Sequence, residues 1–526
     1  MKGDFSRIRF DAANRFSRVL QQQGRVTLDA DGNEQIDILL HYLRTLARDL
    51  IGEYGGPIEQ GGFGLEVVDD KLMIGAGRYY VHGILCESDG CDYATQPNYI
   101  PRAADAKGDE EDALLALLGS NAQNDQRVWI YLDVWERHVT VVEAPALREI
   151  ALGGPDTCTR SQVIWQVKAL SLDEVSATLD ARQKDLAKKI KMDGDGAVSA
   201  ALTKRRERVI QAIDDLKDPA KDCAAALEVL CDGDDAGMTA RLQKSVQPKT
   251  PCIIAPDARY RGAENQLYRV EIHQGGSSDQ ATFKWSRDNG SMVTSWLQTK
   301  GADLQVADAR GFCAGAWVEL SDDALDLRGE PGVLVRLAKV DDDTLTLDAA
   351  SAAATATIVC DPAHHSKIRC WDQRGDGIAE GKLVLAANSA VWIDLEDGIQ
   401  VHFAAGGDYR SGDYWLIPAR VGAGADGGID WPADGDVQPQ PPRRVEHHYA
   451  PLGFVAWSSL TGTAARIEVS SCLCTLRPLT PCQAAAAKLK PAAPADGIVV
   501  HEVVPTHKMV TTPPVKPRPK PKPKHG

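Results

Sequence analysis

The sequence predicts a mainly β protein, built from several sandwich- or barrel-like modules, with an N-terminal α-helix and an inserted helical hairpin. Three observations predict it. Short runs rich in Val, Ile, Trp and Tyr, bounded by turn residues, recur over most of the chain. Ile36, Leu39, Leu40, Leu43, Leu46 and Leu50 fall at helical spacing. Between residues 172 and 245 the pattern changes to a three-four apolar rhythm set among Lys, Arg, Asp, Glu and Ala.

The N-terminal residues mix Phe5, Ile8, Phe10 and Phe16 with basic side chains and read as an extended arm with short strands or a short helix. The leucine-striped helix follows. Asp31 or Asn33 suits its start and Gly52 its end. A helix with one apolar stripe needs a surface to cover it, from its own chain or another subunit.

A glycine-rich loop over 53–64 leads into strands. Leu65–Val68 and Lys71–Ile74 flank a turn, and GRYYVHGILCE, RVWIYLDVWERHVTVV and SQVIWQVKAL continue the β pattern. Leu172, Val175, Leu179, Leu186 and Ile190, then Leu202, Val209, Ile213 and Leu216, mark the helical insertion. It reads either as an interaction arm or as a solvated excursion. Strands resume in QLYRVEIH and ATFKWSRDNGSMVTSW, where Asn289-Gly290 supplies the positive φ angles of a tight hairpin. AWVELSDD and GVLVRLAKVDDDTLTLD suggest a small barrel, and VWIDLEDGIQVHF has similar grammar.

These shifts divide the chain into an arm and amphipathic helix (1–52), a first β domain (53–171), the helical insertion (172–248), a hairpin and small barrel-like module (249–360), a second β module (361–480) and a disordered Pro/Lys-rich tail (481–526). A chain of 526 residues suits about two to four domains, and 43% hydrophobic with 25% charged residues is ordinary for a folded chain. A net charge of −15 argues against nucleic-acid binding. The local exception is the tail, where Lys516, Arg518, Lys520, Lys522 and Lys524 stand without an acid. The N-terminus lacks a signal-peptide pattern and no run is long enough to span a membrane, so the expected location is cytoplasmic. Twelve scattered cysteines predict mostly reduced, buried thiols rather than a disulfide framework.

Each candidate for chemistry has a plainer reading beside it. Asp29, Asp31 and Asn33 open like a calcium loop, but Glu34 and Leu40 stand where glycine and glutamate are needed, so helix capping accounts for them. Cys360, His364, His365 and Cys370 have zinc-ligand atoms at non-standard spacing. Cys472 and Cys474, two apart in a strand, could share a metal or each other. Glu446, His447 and His448 lack an accompanying nucleophile motif, and Gly75-Ala-Gly77 lacks the third glycine of a dinucleotide loop. Acidic runs at Asp322-Asp323, Asp341–Asp343 and Asp394, Glu396, Asp397 suit solvated turns. No cofactor is expected, and no catalytic constellation is present in the local sequence.

Taken together, MKGDFSR, VLQQQGRVTLDADGNEQ, LRTLARDLIG, GAGRYYVHGI, YLDVWERHVT, LGGPDT, NQLYRVEIH, FKWSRDNGS, WIDLEDGIQV and GDYWLIPAR resemble a family of uncharacterised bacterial proteins. That family is encoded beside baseplate and tail genes of phage-tail-like contractile injection systems. The resemblance runs to about residue 460 and implies a structural component of the particle, in baseplate, fibre or cap, with other particle proteins or a second copy as partners. It carries no catalytic residues. The helix residues Ile36, Leu39, Leu43, Leu46 and Leu50 are the expected docking surface. A second reading is a surface- or carbohydrate-binding module at a fibre tip, with Trp285, Trp296, Trp317, Trp392 and Trp415 as stacking platforms. A third is a glycan hydrolase using carboxylates from distant strands.

Overall fold

In the computed structural model, the described residues are 1–69, 71–100, 127–193, 197–231, 236–243, 260–353, 358–374, 378–385, 392–422, 428–432, 438–458 and 466–477. Residues Met1–Leu476 form one compact unit. The expected Pro/Lys-rich tail, with Cys482, lies outside the described residues, as does the turn expected over 194–196.

The chain is mainly β, with an N-terminal helix, as the sequence predicts. Its first layer is a four-stranded antiparallel sheet ordered Arg466–Ser471, His448–Ser458, Arg127–Val139, Arg160–Ser171. Strand Arg127–Val139 is apolar on both sides, so both faces of the sheet are covered. Val128, Ile130, Leu132 and Val134 pack on Phe63, Ile74, Tyr79, Val81 and Ile84 from the small N-terminal sheets. The alternating residues Trp129 and Tyr131 face the helical insertion.

That insertion consists of two long helices, α2 (Leu172–Asp193) and α3 (Ala197–Asp215), and a short one over Asp222–Ala226. Val175, Leu179 and Leu186 of α2, with Val209 and Ala212 of α3, bury against Trp129, Tyr131 and Phe454. The insertion is therefore neither a free arm nor a solvated excursion. Its apolar stripes are covered by the sheet. A disulfide joins Cys223 of the short helix to Cys472, beyond strand Arg466–Ser471.

A second stack pairs a five-stranded sheet, with Gln266–Gln274, Thr282–Ser286 and Tyr414–Arg420 at its centre, against Met238–Leu242 and Ile399–Phe403. Beside it lies a closed antiparallel barrel of six strands: Val293–Lys300, Asp303–Val306, Thr344–Leu347, Val333–Val340, Trp317–Ser321 and Lys367–Trp371. Closure leaves the barrel no free edge.

The Leu65–Val68 and Lys71–Ile74 hairpin forms as expected. Asn289 and Gly290 do have positive φ, 55° and 61°. They do not close a hairpin, however. Thr282–Ser286 pairs within the five-stranded sheet and Val293–Lys300 within the barrel, so this turn carries the chain between sheets. Asn289 is fully buried, and its side-chain amide donates to the Gly3 carbonyl at 2.9 Å. The turn thereby holds the start of the arm.

Candidate docking surface

Helix α1 runs Asp29–Ile51. The Asp31 carboxylate accepts from the Leu28 N–H at 3.3 Å, and the Asp29 carboxylate accepts from the Ser6 N–H and hydroxyl at 2.8 and 2.6 Å. Two carboxylates in the first turn also suit the helix dipole. Burial opposes ionisation of Asp29, but the Ser6 hydrogen bonds outweigh it and hold the carboxyl below its usual range. Asp29 and Asp31 of the calcium-like triplet thus serve the helix start, which lies earlier than an N-cap at Asp31 or Asn33 would place it; Asn33 lies inside the helix, and Gly52, at φ 96°, ends it.

What distinguishes α1 is the direction of its stripe. Ala30 and Ile38 are buried and Arg44 is half-buried, with its guanidinium on Glu136 at 2.9 Å, so this side of the helix faces the body. The leucine side faces solvent. Ile36, Leu39, Leu43, Leu46 and Leu50 are between 40% and 69% exposed, and Leu40 and Tyr42 beside them are exposed as well. Surface helices ordinarily turn their apolar stripe inward. Here a partly polar side lies on the body and the apolar side is presented outward.

The arm extends this surface. Residues 16–28 form neither helix nor strand and make one turn, closed by the Arg25 N–H on the Gln22 carbonyl, and Phe16, Leu20, Val26 and Leu28 are exposed along them. The arm is held to α1 by the Val19 N–H on Gln35 at 2.9 Å, Arg9 on Asp31 at 2.7 Å and the ring of Phe10 against His41. A cleft of about 540 Å³ lies where the arm crosses the sheet, with Arg7, Asp29 and Arg420 on its walls.

The arm is rooted in a buried charge network. Glu271 accepts from Lys2 at 2.9 Å, Arg269 at 2.5 Å and Lys284 at 3.3 Å. Lys284 also pairs with Glu319, which accepts from the Trp371 indole at 2.9 Å. Burial opposes ionisation of Glu271, but the surrounding Lys2, Arg269 and Lys284 charges hold it well below the usual carboxylate range. Four elements meet here: the arm, the five-stranded sheet and two barrel strands.

The other residues singled out from the sequence lie as follows. Trp285, Trp296 and Trp415 are at most 2% exposed, inside the two cores, so they cannot serve as the expected stacking platforms: period-two alternation points them inward. Trp317 and Trp392 are half-buried, and the Arg241 guanidinium lies 3.8 Å from the Trp392 ring centre. The Cys360, His364, His365 and Cys370 atoms are not gathered around a common point. His364 pairs with Asp361 at 3.1 Å, His365 with Asp323 at 2.6 Å, Cys360 lies on the Trp296 carbonyl, and burial pushes the Cys370 thiol up to about 12. Cys472 is bonded to Cys223, which removes it as a thiolate ligand, and Cys474 is exposed and free. His447 is bonded to Asp133 at 2.7 Å and stacked on Trp135.

One carboxylate cluster brings Asp323 of the acidic runs together with residues that no local pattern links to it. Oxygens of Glu143, Asp323 and Asp326 lie within 4.8 Å of one another. A cation is already there, because the Lys367 ammonium sits 2.6 Å from both Glu143 and Asp326, and Arg137 pairs with Asp323. This cluster joins the first sheet to the barrel. A second carboxylate pair, Asp372 and Glu396, is bridged by Arg287 at 3.3 and 2.9 Å. Burial holds both carboxyls above their usual range, and the guanidinium occupies the space between them.

Fold and surface together define a β-rich protein that presents an outward-facing leucine helix. The chain belongs to the family described as "Family of unknown function (DUF6519)", whose model matches residues 1–513. No curated protein matches the chain. Among solved structures, one described as "Crystal structure of TssK" is 8% identical, covering 76% of this chain and 98% of that one, with a TM-score of 0.13. A TM-score that low carries no argument about fold or role. Among the described residues, no helix is long and apolar enough to cross a membrane.

Proposed function

We propose that this chain is a non-catalytic building block of a large protein assembly, and that it enters the assembly through the leucine face of α1 and the arm beside it. The observation that carries this reading is the outward direction of Ile36, Leu39, Leu43, Leu46 and Leu50 on a helix whose opposite side rests on the body. An exposed apolar stripe of this kind marks a protein-interaction site. The arm adds apolar surface and is fixed at its root by half-buried Lys2 on buried Glu271, so the surface is held in place before a partner arrives. The assembly we propose is a phage-tail-like contractile injection particle, with the chain in its baseplate, a fibre or a cap. The sequence blocks that resemble baseplate- and tail-linked proteins support that choice. Neighbouring particle proteins are the proposed partners, and the cytoplasm is the proposed site of assembly.

The test is incorporation. Leu39→Glu/Leu43→Glu places two charges on the exposed stripe without touching a core. Sheathed particles purified from cells carrying this variant are expected to lack the chain, while the variant itself melts like the parent. Particles that retain the variant at the parental level refute the reading.

A further inference from the structure

The stripe on α1 has a finer regularity. With Ile36 at position a of a heptad, Leu43 and Leu50 also fall at a, and Leu39 and Leu46 fall at d. An uncovered a/d seam is the face that another helix fills by knobs-into-holes packing, and from Ile36 to Leu50 it extends for roughly 21 Å. Among the described residues, α2 and α3 have their own stripes covered by Trp129, Tyr131 and Phe454. The long helix with a free seam is α1 itself.

We infer that the occupant of this seam is α1 of a second copy of the chain, paired antiparallel about a two-fold axis. The inference rests on the docking reading above and names the partner of that same surface. In this pairing Ile36 lies opposite Leu46 of the second copy, and Leu39 opposite Leu43. Such an interface is self-complementary, as a two-fold axis requires.

Charge favours the antiparallel sense. The arm, residues 1–28, carries Lys2, Arg7, Arg9, Arg15, Arg18 and Arg25 against Asp4 and Asp11, whereas the whole chain has a net charge of −15. The arm lies along one flank of the seam, where Val19 bonds Gln35 in the first half of α1. Asp49 occupies the same flank in the second half. Arg18 and Asp49 are both exposed, and neither has an ion-pair partner among the described residues. Antiparallel pairing brings Arg18 of each copy to Asp49 of the other. Parallel pairing brings the two basic arms to the same end. The seam flanks at Asn33, Gln35 and Tyr42 are uncharged and set up no repulsion in the antiparallel sense.

The test uses sedimentation velocity on the purified full-length chain from nanomolar to high micromolar concentration. The parent is expected to dimerise. Leu39→Glu/Leu43→Glu is expected to weaken the dimer roughly a hundredfold or more, since each charge loses solvation in the seam. Leu43→Gln, milder and uncharged, keeps the test decisive if the double variant misfolds, and is expected to weaken the dimer about tenfold. Arg18→Glu is expected to weaken the dimer, and adding Asp49→Arg to restore it. A parent that stays monomeric throughout overturns the second-copy inference. A dimer indifferent to the seam variants overturns it too, and a charge swap without rescue overturns the antiparallel sense. Particle incorporation separates these failures from the docking reading, because a monomeric parent that still needs Leu39 and Leu43 to enter particles keeps the docking surface and loses only the self-pairing.

Discussion

Gly83 and Arg44 touch through their backbones: a Cβ built on Gly83 would lie 2.4 Å from the Arg44 carbonyl oxygen. Gly83 also has φ +77°, a region that side chains disfavour. This turn, between strands Gly77–Val81 and Ile84–Ser88, is where α1 rests on the body. Gly83→Ala is expected to push α1 outward and cost about 2–4 kcal/mol. Hydrogen exchange should show protection lost over Asp29–Ile51 while the barrel stays protected. Unchanged exchange in α1 contradicts this contact.

The covered and uncovered stripes should respond differently to truncation. Leu179, fully buried against the sheet, is expected to cost about 2–5 kcal/mol as Leu179→Ala. Leu43→Ala on the exposed face is expected to stay within about 0.5 kcal/mol in the dissociated chain. Chemical denaturation of dilute samples gives both values. A large cost at Leu43 under those conditions means that α1 packs its leucines within its own chain.

Lys367 is expected to be a keystone between the first sheet and the barrel. Lys367→Met leaves the carboxylates of Glu143 and Asp326 without their ammonium, and breaking a buried pair in this way costs roughly 3–5 kcal/mol. Burial opposes ionisation of Glu143, but Lys367 and the Thr140 hydrogen bonds hold its carboxyl down at about 2. Its contribution is therefore complete above its ordinary 4.5 and is lost as pH falls from there towards 2. In Lys367→Met that acid-dependent loss should be smaller, since only the Thr140 hydrogen bonds then favour the Glu143 carboxylate.

Histidines set an earlier acid response. Burial, with the neighbouring Lys284 charge, lowers His273 to about 4, and burial, with His82 and Arg44 nearby, lowers His448 to about 4. Burial likewise lowers His138 to about 3. Each is neutral when folded and takes up a proton more readily when unfolded. Stability is thus complete above 6.5, the ordinary histidine value, and is lost as pH falls towards 4. For His273, 5% exposed, the loss at the acid end is on the order of 2–3 kcal/mol. A melting temperature flat from pH 7 down to 4.5 contradicts this assignment.

Cys223 and Cys472 should appear as a cross-linked peptide pair under non-reducing mass spectrometry. The bond closes a loop across a sequence separation of 249, so reductant is expected to lower stability by about 2–5 kcal/mol under oxidising preparation.

The elements were more legible in the sequence than their neighbours. The Leu65–Val68 hairpin, the leucine helix and the helical insertion follow from periodicity, and Val175, Leu179 and Val209 were marked by spacing alone. Which surfaces they meet was not legible, because the sheets join distant strands: His448–Ser458 pairs with Arg127–Val139, and Cys223 with Cys472. No local pattern encodes such partners. The tryptophans show the same limit, since a strand position shows which residues share a face but not which face is covered. Asn289-Gly290 shows it too, because the turn geometry was readable while the destination of the next strand was not. For the proposed docking surface the leucine stripe is legible as a stripe, and the structure shows that it points outward.

The most direct measurement is hydroxyl-radical footprinting of Leu39, Leu43 and Leu46 in the dilute dissociated chain and in the intact particle. All three are expected to label strongly in the free chain and to be protected in the particle, with Ile38 protected in both. Equal labelling of the leucines in both states contradicts the docking reading.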